Sequence, residues 1–158
     1  MARKTLAPGD PAPEFTLPDG EGAMVSLKDL RGSWVVLYFY PRDDTSGCTL
    51  EAVDFTAQAG TFKKLGAAII GISPDSIESH ARFTEKHGLG ITLLSDTRKT
   101  TLAQYGVWQK KKLYGREFFG VVRSTFLIDP SGAVRRIWSK VSVKGHAEEV
   151  LEALKGLS

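Results

Sequence analysis

The chain has one cysteine, Cys48, at the end of the stretch Pro41-Arg-Asp-Asp-Thr45-Ser-Gly-Cys48. An apolar run, Trp34-Val-Val-Leu-Tyr-Phe-Tyr40, leads into that stretch, and a helical pattern opens at the cysteine. A strand that delivers a thiol to the first turn of a helix makes a nucleophile. The unpaired N–H groups and the dipole at a helix start favour an anion, and the thiolate is the reactive form of the thiol. Without such a setting, a lone cysteine is more often an inert buried thiol that packs like a small apolar residue. Its neighbours must therefore decide what it does.

Several other chemistries are excluded by residue type. With one cysteine there is no intrachain disulfide, no C-x-x-C redox pair and no cysteine-rich zinc site. His80, His87 and His146 are widely separated and show no paired ligand spacing. Neither glycine-rich nucleotide-binding fingerprint is present, so no cofactor is expected. The net charge of +3 over 158 residues is too small to argue for nucleic acid. The longest apolar run is far short of the roughly 20 residues that span a bilayer. The N-terminal residues lack the apolar core of a secretory leader, and the lone thiol suits a reducing compartment, so the cytoplasm is expected.

The elements around Cys48 can be read from pattern. Residues 7–13, rich in proline, form an extended arm. Phe15–Leu17 and Met24–Leu27 flank Asp19-Gly20-Glu-Gly22 as a hairpin, and a helical turn follows to Gly32. Trp34–Tyr40 is apolar on both parities, as a central strand covered on both faces must be. From Cys48 to Leu65, Ala52, Phe55, Ala59 and Phe62 form one helical stripe that Gly60 weakens. Ala67–Ile72 is a second buried strand, and Ser76 caps a helix that runs to His87 before Gly88. Thr92–Leu94 is a short strand and Thr100–Tyr105 a short helix. Trp108–Phe119 reads as an irregular surface segment with Lys110–Lys112 solvated; Trp108, Phe118 and Phe119 are expected to pack into the core, with a substrate rim as the alternative. Arg123–Asp129 and Ala133–Trp138 form a hairpin, and an amphipathic helix, Gly145–Leu157, closes the chain. Alternating strands and helices predict one α/β domain over residues 1–158, a mixed sheet with helices on both faces.

Pro41-Arg-Asp-Asp-Thr45-Ser-Gly-Cys48 resembles the peroxiredoxin signature Pro-x-x-x-Thr-x-x-Cys. Thr49-Leu-Glu51-Ala and Gly120-Val-Val-Arg123-Ser-Thr-Phe-Leu-Ile-Asp129 resemble the Q-type subgroup, also called bacterioferritin comigratory protein. The resemblance implies a thioredoxin-like fold and thiol-dependent reduction of hydroperoxides. It makes Cys48 the attacking sulfur, which becomes a sulfenic acid. It implies that Thr45 bonds the attacked peroxide, that Arg123 favours the thiolate and orients the peroxide, and that Pro41 shields the sulfur from water. Glu51 is implied to hold the arginine; an acidic first-turn residue that suits the helix dipole accounts for it equally well.

The chain departs from most Q-type members, which carry a second, resolving cysteine. The two family positions for it fall at Val53 and Thr84. The sulfenic acid is then expected to be resolved by an external thiol: thioredoxin, glutaredoxin or glutathione. The subgroup implies a monomer, with a dimer as the alternative. One other class remains, a redox-inactive module that keeps the fold as a binding scaffold; the missing second thiol excludes a dithiol electron carrier.

Overall fold

A computed structural model describes residues 5–158. Residues 1–4, which carry the basic residues of the N-terminal stretch read above, lie outside the described residues.

The apolar run forms β3 (Trp34–Phe39), after a small hairpin of β1 (Thr16–Pro18) and β2 (Met24–Ser26). All six residues of β3 are buried, which is why its sequence shows no polar face. It is followed by α1 (Ser46–Lys64), β4 (Ala67–Ser73), α2 (Ile77–His87), β5 (Thr92–Ser95) and α3 (Thr100–Gln104). The chain continues through β6 (Trp108–Leu113), β7 (Arg116–Val121), β8 (Ser124–Ile128) and β9 (Val134–Ser139), and ends in α4 (His146–Leu157). The central sheet has the order β5-β4-β3-β8-β9, with β3 in the middle. β3 pairs in parallel with β4 and antiparallel with β8, so the sheet is mixed.

Alternate residues of β3 enter two cores. Trp34, Val36 and Tyr38 pack with Ala52, Phe55 and Phe62 of α1, Phe83 of α2 and Val150 of α4. Val35, Leu37 and Phe39 pack with Leu102, Tyr105 and Phe126 on the other face. The stripe read on α1 is the buried stripe, and the helix runs unbroken through Gly60. Ser76 caps α2 by accepting the Ser79 N–H at 3.1 Å, and Gly88 ends the helix in the left-handed conformation. The proline-rich arm lies against the β8–β9 turn, where the Gly9 and Ala12 N–H groups donate to Val134 and Gly132 carbonyls.

The segment expected to be irregular is a two-stranded ribbon instead. β6 and β7 pair antiparallel from Trp108↔Val121 to Leu113↔Arg116, around a tight turn in which Tyr114 and Gly115 both take positive φ. The ribbon forms a separate sheet. Most of its residues face water on both sides, so the alternation that marks a half-buried strand never appears. The Trp108–Phe119 ring stack and the Lys110–Glu117 ion pair at 3.0 Å support its register. Phe118 and Phe119, expected in the core, are 45% and 58% exposed.

Candidate active site

Tyr40 and Pro41 take the chain from the C-terminal end of β3 into a short loop, and α1 begins at Ser46, two residues earlier than its pattern suggested. Thr45 is the N-cap residue, so Cys48 lies in the first turn, where backbone N–H groups have no partners within the helix. Thr45 makes no side-chain capping bond. Its hydroxyl donates to the Arg42 carbonyl at 3.0 Å, which leaves the oxygen lone pairs on an exposed side chain. Pro41 is half-buried. Cys48 is 1% exposed.

Arg123 stands in the link between β7 and β8, and its guanidinium is divided between two partners. Nη2 donates to Cys48 Sγ at 3.2 Å, and Nη1 donates to Glu51 Oε1 at 2.6 Å. Gly47 leaves room for this approach: a Cβ there would lie 3.3 Å from Nη2, tight enough to shift the guanidinium by a few tenths of an ångström. Burial by itself would lower the Arg123 guanidinium, but Glu51 and Cys48 together hold it above the usual arginine range. Glu51 is the inverse case. Burial pushes its carboxyl up to about 7, and the Arg123 charge and hydrogen bond only partly oppose this. Its second oxygen is buried without a partner, and so is the Tyr38 hydroxyl. Burial keeps that phenol well above the usual tyrosine range, with the Glu51 and Cys48 charges adding to the effect.

Cys48, Arg123 and Glu51 are thus brought into one bonded cluster, with Thr45 and Pro41 on the loop beside it. Neither Val53, 39% exposed on α1, nor Thr84, half-buried on α2, supplies a thiol.

Sequence reading missed the apparatus that holds the loop. Asp43 is buried and accepts three side-chain bonds: Tyr40 Oη at 2.6 Å, Ser79 Oγ at 2.8 Å and His80 Nδ1 at 2.7 Å. The other ring nitrogen of His80 faces the Leu94 carbonyl at 3.0 Å. The Asp43 N–H donates to Asp75, which also accepts from Ser73. Asp44, at φ 60°, meets Lys86 at 2.6 Å and His87 at 2.8 Å. Both acidic residues of the signature therefore tie the loop to α2. Adjacent aspartates in a turn carry no such signal until His80 is known to be buried.

The family model described as AhpC/TSA matches residues 8–137. The chain belongs to the AhpC/TSA family. Among its AhpC/TSA relatives, a putative peroxiredoxin bcp of Coxiella burnetii is 48% identical over 146 residues, 92% of this chain and 97% of that one. Peroxiredoxin Bcp of Bacillus subtilis is 46% identical over 154 residues, 98% of each chain. A solved Xanthomonas campestris bacterioferritin comigratory protein, described for its alkyl peroxide reduction activity, superposes with a TM-score of 0.87 at 42% identity, covering 90% of each chain. A Xylella fastidiosa PrxQ mutant superposes at 0.92 with 34% identity, covering 97% of this chain and 98% of that one. These relatives make the mixed sheet a thioredoxin-like peroxiredoxin fold and the chain a Bcp/PrxQ-type member of AhpC/TSA. No helix among the described residues is long and apolar enough to cross a membrane.

Proposed function

We propose that this protein reduces hydroperoxides through a sulfenic acid on Cys48, and that a thiol from outside the chain resolves it. The Cys48 thiolate attacks the terminal oxygen of ROOH. The S–O bond forms as the O–O bond breaks, and the departing RO⁻ takes a proton and leaves as ROH, or as water when R is hydrogen. Arg123 donates to the sulfur before the attack and to the charge that spreads over the breaking bond during it. Glu51 holds the guanidinium in that position. The Thr45 hydroxyl oxygen accepts the O–H of the attacked peroxide oxygen, and Pro41 keeps water from the sulfur. A first external thiol then attacks Cys48–SOH, releasing water and leaving a mixed disulfide. A second thiol frees Cys48 and carries the disulfide away.

The observation that carries this reading is the shared guanidinium, 3.2 Å from Cys48 Sγ and 2.6 Å from Glu51 Oε1. An inert thiol has no need of a buried ion pair aimed at its sulfur. The one-cysteine cycle follows from Val53 and Thr84, and thioredoxin, glutaredoxin and glutathione are the donor classes it admits. A chain with one thiol is suited to a reducing cytoplasm. Because Cys48 is 1% exposed, the first turn of α1 must loosen before a bulky thiol reaches it.

The test is steady-state peroxide consumption with each thiol donor supplied in turn, comparing the natural chain with Cys48→Ser. The variant is expected to lose turnover with every donor. Equal rates for the two proteins would end the reading.

A further inference from the structure

The three lysines of β6 do not share one environment. Lys110 and Lys112 are exposed, and Lys110 pairs with Glu117 on one face of the ribbon. Lys111 points to the opposite face and is half-buried. Its neighbour across the register is Phe118, and its stem lies over Gly120, next along β7 on that face. Cδ and Cε of Lys111 come within 3.3 Å and 3.6 Å of the point that a Cβ on Gly120 would occupy, and Phe118 Cε2 comes within 3.5 Å of it. The bare glycine thus leaves a channel across β7, three residues before Arg123. The lysine stem fills it beside a half-exposed aromatic ring. At the end of that stem the ammonium lies within electrostatic reach of Arg123 and Cys48. Partial burial lowers it below the usual lysine range, the Arg123 charge adds to this, and Cys48 opposes it.

We infer that Lys111 is a specificity-determining residue, whose charge, carried over Gly120 on the strand that leads to Arg123, favours anionic reactants over neutral ones in their approach to Cys48. Arg123 is committed to Glu51 and to the sulfur through two hydrogen bonds. Lys111 has no such fixed anionic partner across the ribbon, where Phe118 stands opposite it. Its field is therefore open to a carboxylate or a thiolate carried by an incoming molecule. Among the described residues, the other charged or titratable groups around Cys48 are Arg123, Glu51 on α1 and the Tyr38 hydroxyl on β3. A Lys111 substitution leaves all three in the chain but removes the lysine's field from Arg123 and Cys48, so the readout must be insensitive to the state of the thiol. The inference rests on the reading of Cys48 as the reacting atom.

The probes are iodoacetate and iodoacetamide, which form the same kind of thioether at Cys48 with loss of iodide and differ chiefly in charge. Their rate ratio cancels any change in the reactive fraction of the thiol. The Lys111→Met substitution keeps the stem and removes the charge. It should lower the iodoacetate-to-iodoacetamide ratio by about threefold to tenfold at low salt. Lys111→Arg should restore the ratio, and Gly120→Ala, which pushes the stem aside, should fall between the two. In ~1 M salt, where the screening length is about 3 Å, the four proteins should converge. An unchanged ratio in Lys111→Met, with Cys48 still alkylated, would overturn the inference alone. A Cys48 that neither reagent alkylates while peroxide is still consumed would overturn this inference and leave the proposed function standing, whereas a Cys48 that alkylates in a chain that consumes no peroxide would end the proposed function.

Discussion

The two flanks of Cys48 are built on different terms. On one side, the loop from Pro41 to Gly47 is bound to α2 through Asp43 and Asp44, and the central bonds, from Asp43 to Tyr40 and His80, are buried. On the other side, the β6–β7 ribbon offers exposed Phe118 and Phe119 and a half-buried Lys111. The first flank holds geometry, because buried polar groups tolerate one arrangement and strand their partners in any other. The second flank faces what arrives from solvent. Arg123 sits where they meet, at the end of the ribbon, with its guanidinium fixed by α1.

The largest expected effect is at that meeting point. Arg123→Ala should slow peroxide reduction by roughly 10²–10³-fold, the range seen when one preorganised donor to a developing charge is removed. Near-wild-type consumption rates in this variant would show that the bond to Cys48 does not serve the chemistry.

A change in the bonded flank should register in stability. Asp43→Ala leaves Tyr40 Oη, Ser79 Oγ and His80 Nδ1 without their shared acceptor. Leaving buried donors unpaired should cost about 3 kcal/mol or more in urea unfolding. A loss below about 1 kcal/mol would mean that the network does not hold the loop.

Glu51 links stability to pH. Its carboxyl is raised to about 7 in the folded chain, above its unfolded value, so the native state binds more protons than the unfolded state between those two values. Its stabilising contribution is therefore fully present below the unfolded value, and it is lost as pH rises through about 7. The loss amounts to about 3 kcal/mol at most. Unfolding free energies at pH 5 and pH 8 should differ less in Glu51→Gln than in the natural chain. Equal differences in the two proteins would remove Glu51 as the cause.

The contrast between the flanks also explains what could be read from sequence. β3 and α1 were legible because burial imposes patterns: Trp34–Phe39 apolar on both faces, and Ala52, Phe55 and Phe62 on one helical stripe. Cys48, Thr45 and Pro41 came from the signature, and Arg123 came from the family resemblance, since an isolated arginine before a strand carries no signal of its own. The ribbon is not legible because it is solvated on both faces and its lysine run hides any alternation. Lys111 was grouped with its neighbours because sequence does not show which of three adjacent lysines lies over a glycine. The Asp43–His80 pair spans 37 residues, and no local pattern reports a contact at that distance.

The central claim is that Cys48 carries the redox chemistry alone within its chain. Intact-mass measurement after one equivalent of hydroperoxide tests it directly. The expected result is the addition of one oxygen, located at Cys48, which converts to a mixed disulfide when a small thiol is added. An unchanged mass, an oxygen located at another residue, or an intact chain lighter by two hydrogens would contradict it.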